Sequence, residues 1–176
     1  MCFDERAATW DDPDKVRQSA EVADAVRRQF DLGDRPRTLE LGAGTGLLSR
    51  ALRDDLGPVT LADSSAGMLE VAREVISVEG LDGWEAVEVD VDAGELPRWP
   101  FDLVLAQLAL HHMQDPRGVV GLVRGVLAPG GWLAVAIGPT QADAVGALFA
   151  GAGLRGVGVR RDLDGRDRVV MAQQPA

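Results

Sequence analysis

Apolar positions along this chain follow two rhythms that alternate, a helical spacing near 3.6 residues and short runs that are almost wholly apolar. The first element opens at Asp12-Pro13, an N-cap acid followed by proline at the first helical position. Val16, Ala20, Ala23, Val26 and Phe30 recur at helical spacing after it, and Gly33 stands where the helix would stop. From there strands and helices take turns. Thr38–Leu41 reads as a strand, then come a glycine loop and a helix over Leu47–Leu56. Val59–Ala62 is a second strand ending at Asp63, and Ser65 can cap a helix with Met68, Ala72, Val75 and Ile76 on its apolar face. Trp84–Val89 alternates apolar and acidic residues as a third strand, and Phe101–Ala106 is apolar enough to be covered on both faces. Asp115-Pro116 opens a helix that ends before Pro129-Gly130-Gly131, and Trp132–Ile137 is a fifth strand. Thr140-Gln141-Ala142-Asp143 has the look of a capping box, starting a helix to Phe149.

This alternation predicts an α/β fold with a parallel sheet and right-handed crossovers. The end departs from it. Leu154–Arg160 and Arg168–Ala172 are strands separated by a link, including Asp164-Gly165, too short for a crossover helix, so an antiparallel hairpin closes the sheet. The 176 residues suit one domain, with no repeat or low-complexity stretch. The opening MCFDERAATWDD is acidic and holds no apolar stretch of the kind a secretory signal needs, and no apolar run is long enough to span a bilayer, so a cytoplasmic location is expected. Cys2 is the only cysteine, which leaves no internal disulfide and no cysteine-built metal site, and no metal is expected. Net charge is −10, and Lys15 is the only lysine. The densest arginine group, Arg155, Arg160, Arg161, Arg166 and Arg168, is interleaved with Asp162, Asp164 and Asp167, which argues against nucleic acid as a partner.

Candidate chemistry gathers at the glycine loop. Gly42, Gly44 and Gly46 leave a strand and enter a helix, where glycine lets the backbone turn sharply and approach a ligand. The nicotinamide spacing Gly-x-Gly-x-x-Gly fails in both registers, because Leu47 or Ser49 stands at the third position. Glu40 sets a carboxylate just before the loop, where a pyrophosphate would be repelled. Asp63 ends the second strand, where α/β sheets place an acid for the hydroxyls of a ribose, and Asp90 follows the third. Each aspartate alone reads equally as a solvated strand end. Together, at three successive strand ends beside one glycine loop, the acids point to a cationic, phosphate-free ligand.

Four segments then resemble class I S-adenosylmethionine-dependent methyltransferases. Leu39–Ser49 (LELGAGTGLLS) is similar to their first motif, and Asp63–Leu69 (DSSAGML) to their second-strand acid with its following Ser and Met-Leu. Phe101–Asp115 (FDLVLAQLALHHMQD) resembles their fourth-strand segment, and Leu127–Trp132 (LAPGGW) the turn before strand five. Phe3-Asp4, Ala7, Trp10-Asp11 and Lys15 resemble the lead-in of small-molecule members, including quinone-biosynthesis and natural-product enzymes. The resemblance implies a Rossmann-like three-layer sandwich with a seven-stranded, mostly parallel sheet and an antiparallel last strand. It also implies S-adenosylmethionine as cofactor and S-adenosylhomocysteine as product. Carried onto this chain, Gly42, Ala43, Gly44 and Gly46 pass close to the methionine part, with Glu40 near its amino group. Asp63 holds the ribose hydroxyls, Ser64 and Met68 flank the adenine, Asp90 takes its amino group and Val91 a ring nitrogen. Ala106 and Gln107 line the floor under the sulfonium. Met68 and Leu69 also fit plain helix packing.

The sulfonium methyl is already activated, so the protein's share is positioning for in-line displacement. His111 and His112 follow strand four, and His111 is the candidate base for an acceptor that must lose a proton; the pair equally fits a role in fixing its loop. Trp10 and Lys15 are candidates for a lid, Trp10 offering an aromatic face to a cation, and serve equally as a helix anchor. Residues 1–32 are thus expected to form a helical lead-in or lid on a methyltransferase domain of residues 33–176. Gly138-Pro139 leads almost directly into the next helix, where many relatives carry a longer substrate-covering segment. An open acceptor side accommodates a large or carrier-bound acceptor, or is closed by a second copy in a homodimer. The alternative to an enzyme acting on a small or medium-sized molecule is a cofactor-binding module that no longer catalyses and serves as partner subunit or sensor. A dehydrogenase reading lacks both the glycine spacing and a tyrosine for a proton relay.

Overall fold

The computed structural model describes residues 7, 9–29, 32, 34–107 and 110–176, the side chain of His111 excepted. Phe3-Asp4 of the lead-in, and Phe30 and Gly33 at the end of the first helix, lie outside the described residues. Helix α1 spans Pro13–Gln29, and the Asp12 carboxylate accepts the Lys15 N–H at 2.9 Å as its cap. Strand β1 (Thr38–Leu41) leads through the glycine loop to α2, Leu47–Ala51. That helix is shorter than the periodicity predicted, because Leu52 and Arg53 bond back to Ser49 and Arg50 in a tighter turn. The turn brings the chain to Gly57, where a Cβ would sit 2.3 Å from the Arg35 carbonyl.

β2 (Val59–Asp63) and α3 (Ala66–Glu79) follow, with Ser65 Oγ accepting the Met68 N–H at 3.2 Å. β3 (Trp84–Glu88), β4 (Phe101–Gln107) and α4 (Pro116–Val126) come next, α4 capped by Asp115 Oδ1 on the Gly118 N–H at 3.0 Å. β5 spans Leu127–Ala136, beginning five residues before its predicted start at Trp132. Phe101 pairs with Leu127 and Leu103 with Trp132, so Ala128–Gly131 bulge out of the ladder without ending it. Helix α5, Ala142–Gly151, has Gln141 at its N-cap and no side-chain cap. The expected Thr140 capping box is therefore absent; the Gln141 side chain instead accepts the Gly138 N–H at 2.8 Å, closing the loop after β5.

β6 (Arg155–Arg161) and β7 (Asp167–Gln173) form the hairpin that completes a seven-stranded sheet of order β3-β2-β1-β4-β5-β7-β6. The first five strands pair in parallel, and β7 runs antiparallel to both β5 and β6. The pleat sorts side chains to the two faces. Leu39, Leu41, Val104 and Val135 pack with Val119, Val123 and Phe149 of α4 and α5. Leu61, Leu103, Leu105 and Met171 pack with Val22 and Val26 of α1, Leu48 of α2 and Ala72 of α3. The result is a three-layer sandwich that brings the ends of β1, β2, β3 and β4 to one edge. No helix among the described residues is long and apolar enough to cross a membrane.

Candidate functional site

A cleft of about 370 Å³ opens beyond the carboxyl ends of these strands, within the size range of small-ligand sites. It lies at the topological switch point, where β1 is flanked by β2 on one side and β4 on the other. Its walls bring together Trp10, Lys15, Glu40, Gly42, Ala43, Gly44, Asp63, Ser64, Met68, Asp90, Val91, Gln107 and His112.

The glycine loop and the second-strand acid form one unit. Gly42, Gly44 and Gly46 all have positive φ, the last at 82° as the N-cap of α2. The Gly44 N–H donates to Asp63 Oδ2 at 2.8 Å, and the Ser65 N–H donates to Oδ1 at 2.9 Å. Asp63 is thus held by two backbone N–H donors, one from the glycine loop and one from the turn into α3.

Glu40 is 2% exposed and turned toward α2, where the Ser49 N–H (3.0 Å) and hydroxyl (2.5 Å) both donate to its Oε2. Burial pushes its carboxyl up to about 7, against the lowering effect of the Ser49 bonds, and the nearby Asp63 charge adds to the rise. Asp90 caps a short 3₁₀ turn, Val91–Ala93, its Oδ1 accepting from the N–H groups of Asp92 (3.0 Å) and Ala93 (3.2 Å). Gln107, at the end of β4, accepts a 3.0 Å bond from Ser19 of α1. Lys15 Nζ lies 4.6 Å from the centre of the Trp10 ring and pairs with Asp12.

Two expected residues are not on these walls. Gly46 faces the core, where a Cβ would meet Leu61 Cδ1 at 2.7 Å. Ala106 is 2% exposed and packs in the layer beneath α4 and α5, the pleat turning it to the opposite face from Gln107. The backbone of His111 belongs to a 3₁₀ turn, Leu110–His112; its side chain lies outside the described residues. Gln18, Ser19, Asp92 and Met113 line the cleft and were not expected there. A helical-face signal for the first two was present, since Gln18 and Ser19 stand three and four residues after Lys15.

The donor set fits the ligand class inferred from the loop. Among the described residues four carboxylates, Glu40, Asp63, Asp90 and Asp92, line the cleft, and Lys15 is the one lysine or arginine there. Such walls favour a cation and disfavour a phosphate. Leu47, Leu48, Ala62, Met68, Val89 and Val91 supply apolar surface for a base. Among the described residues no cluster of His, Cys, Asp and Glu could hold a metal ion.

Comparison with known proteins agrees. A solved S-adenosylmethionine-dependent methyltransferase from Aquifex aeolicus superposes with a TM-score of 0.79 at 22% identity, over 97% of this chain and 98% of that one, a likeness of fold. An uncharacterized methyltransferase of Mycobacterium tuberculosis is 35% identical over 55% of this chain, which spans about half (48%) of that protein's length. The biotin biosynthesis bifunctional protein BioCD of Bordetella avium is 34% identical over 68% of this chain and 25% of its own. The methyltransferase domain family model matches residues 39–135, more than half of the chain and the whole span from the glycine loop into β5. The chain therefore belongs to the class I S-adenosylmethionine-dependent methyltransferases.

Proposed function

We propose that this protein transfers a methyl group from S-adenosylmethionine, bound in the cleft, to a small or medium-sized acceptor by in-line displacement. The observation that carries this reading is the set of acids at adjacent strand ends around one glycine loop, with Asp63 bonded directly to Gly44. Asp63 would hold the ribose hydroxyls, Asp90 and Val91 the adenine edge, Ser64 and Met68 its faces, and Glu40 the amino group. The bound cofactor would supply an already activated methyl on a sulfonium. The chain's own work is then to bind, align and exclude water, and alignment of this kind is worth roughly 7–11 kcal/mol of a barrier. Gln107, tied to Ser19, would line the floor under the sulfonium. His111 is proposed as the base where the acceptor must lose a proton.

The link from β5 to α5 is short and closed by Gln141, and in this reading it adds no substrate-covering segment to the acceptor side. That favours a large or carrier-bound acceptor, or closure by a second copy of the chain. Residues 1–32 act in this reading as lead-in and lid to the domain of residues 33–176, in a cytoplasmic enzyme. The relative named for biotin biosynthesis supports a biosynthetic small-molecule acceptor.

Calorimetry with S-adenosylmethionine and S-adenosylhomocysteine, followed by turnover of methyl-labelled cofactor against a metabolite panel, tests the proposal. Binding with transfer is expected. Binding without transfer to any acceptor would favour a cofactor-sensing module, and absence of binding would remove the site.

A further inference from the structure

One carboxylate joins the N-terminal segment to both the glycine loop and the helix that follows it. Asp11 Oδ1 accepts the Thr45 hydroxyl at 2.5 Å, and Oδ2 takes Arg50 Nη1 at 2.7 Å. Thr45 is 1% exposed, so this bond satisfies a hydroxyl sealed inside the loop. Arg50 then reaches Glu79 Oε1 at 2.9 Å with its other terminal nitrogen, and Glu79 Oε2 holds Arg53 at 2.9 Å. The chain of charges runs from the N-terminal segment over α2 to the last residue of α3.

The neighbour of Asp11 is the cleft's aromatic wall. Trp10 Nε1 lies 3.5 Å from the point where a Cβ on Gly44 would stand, and Lys15 Nζ lies 4.6 Å from the centre of the Trp10 ring. An isolated exposed ion pair would be worth little, but Asp11, Arg50 and Glu79 are each about two-thirds or more covered and share partners, so fixing one side chain helps order the next.

We propose that Asp11 is a positioning residue: by clamping onto Thr45 and Arg50 it holds the Trp10–Lys15 pair across the glycine loop, and so sets how long the cofactor stays in the cleft. The proposal rests on the cleft being the S-adenosylmethionine site. It assigns cofactor residence to a charge cluster outside the cleft, because Asp11, Arg50 and Glu79 are not among the residues that line it.

The test is the release rate of labelled S-adenosylhomocysteine chased with unlabelled compound, in wild type, Asp11→Asn and Arg17→Gln. Arg17 forms an exposed pair with Asp14 on the same helix and serves as the control. Release from Asp11→Asn is expected to be at least about fivefold faster, with KM for the cofactor raised more than kcat is lowered. Arg17→Gln should release at the wild-type rate. Raising ionic strength from about 0.01 to about 1 M should speed wild-type release and change the Asp11→Asn rate much less. A variant that releases at the wild-type rate, or with the wild-type salt dependence, overturns the clamp and leaves the cofactor site standing. A wild-type protein that binds neither compound overturns both.

Discussion

The Gly44 N–H donates to Asp63 Oδ2 at 2.8 Å, so the loop after β1 and the acid at the end of β2 hold each other in place. The same carboxylate accepts the Ser65 N–H and so shapes the entry to α3. Asp63→Asn keeps an oxygen for only one of these donors and loses the charge. Its affinity for S-adenosylmethionine should fall at least about tenfold, the loss of one charge-assisted bond of about 1.5–3 kcal/mol. Asp63→Ala leaves both N–H groups without the carboxylate and should lower the melting temperature as well. Calorimetry and thermal melting of the two variants separate the contributions.

Gly44 and Gly46 stand two residues apart and should fail differently when replaced by alanine. Both have positive φ, which costs an alanine about 1–2 kcal/mol. At Gly46 the new methyl would also stand 2.7 Å from Leu61 Cδ1 in the core, whereas at Gly44 the nearest atom is Trp10 Nε1 at 3.5 Å, across the cleft. Gly46→Ala should therefore show the larger drop in melting temperature. Gly44→Ala should show the larger drop in cofactor affinity relative to its loss of stability.

Local pattern carried most of this architecture. The Asp12, Ser65 and Asp115 caps and the short link between β6 and β7 are short-range signals that the folded chain uses. The expected stripe of α1 holds only in part: Ala23 and Val26 are buried, whereas Val16 and Ala20 are exposed. Ser19, Val22 and Ala25 face the core instead, because the sheet covers a face of the helix turned away from that stripe. Resemblance added the seven strands. What stayed hidden depends on contacts between distant segments. Pro129-Gly130-Gly131 reads as a turn because nothing local reveals that β4 lies alongside it. Ala106 and Gln107 are adjacent in sequence, but only the pleat and the position of α1 show that Gln107 alone reaches the cleft. Asp11 looks like one more surface acid until Thr45 and Arg50 are seen to converge on it.

The bulge in β5 makes its own testable claim. A Cβ on Gly131 would stand 2.9 Å from both the Ala128 and Phe101 carbonyl oxygens, backbone atoms that cannot swing aside. Gly131→Ala should destabilise the fold by roughly 1–3 kcal/mol, as overpacking does. Gly121 lies exposed within α4, with nothing within 4 Å of a Cβ there. Gly121→Ala should stabilise by about 0.4–1 kcal/mol through the unfolded chain and helix propensity. Urea unfolding of the two variants reads both signs.

Glu40 couples stability and cofactor binding to pH in opposite directions. Its carboxyl is raised from 4.5 to about 7, chiefly by burial, so the folded apoprotein binds this proton more tightly than the unfolded chain does. Stability from this group is therefore full below about 4.5 and is lost as pH rises to about 7, by roughly 3 kcal/mol in total. Asp12 and Asp162 are shifted downward, Asp12 mainly by Lys15 and Asp162 mainly by the Arg166 N–H, so the whole-protein curve is composite. The difference between wild type and Glu40→Gln isolates the one group. That difference should be steady below about pH 4.5, move in favour of the glutamine variant up to about pH 7, and level off above it. A cationic amino group beside Glu40 favours the ionised acid, so binding of S-adenosylhomocysteine should expel the proton. Wild-type affinity should then strengthen as pH rises toward 7, while Glu40→Gln shows no such rise. Parallel pH profiles for the two proteins would mean that the amino group does not lie near Glu40.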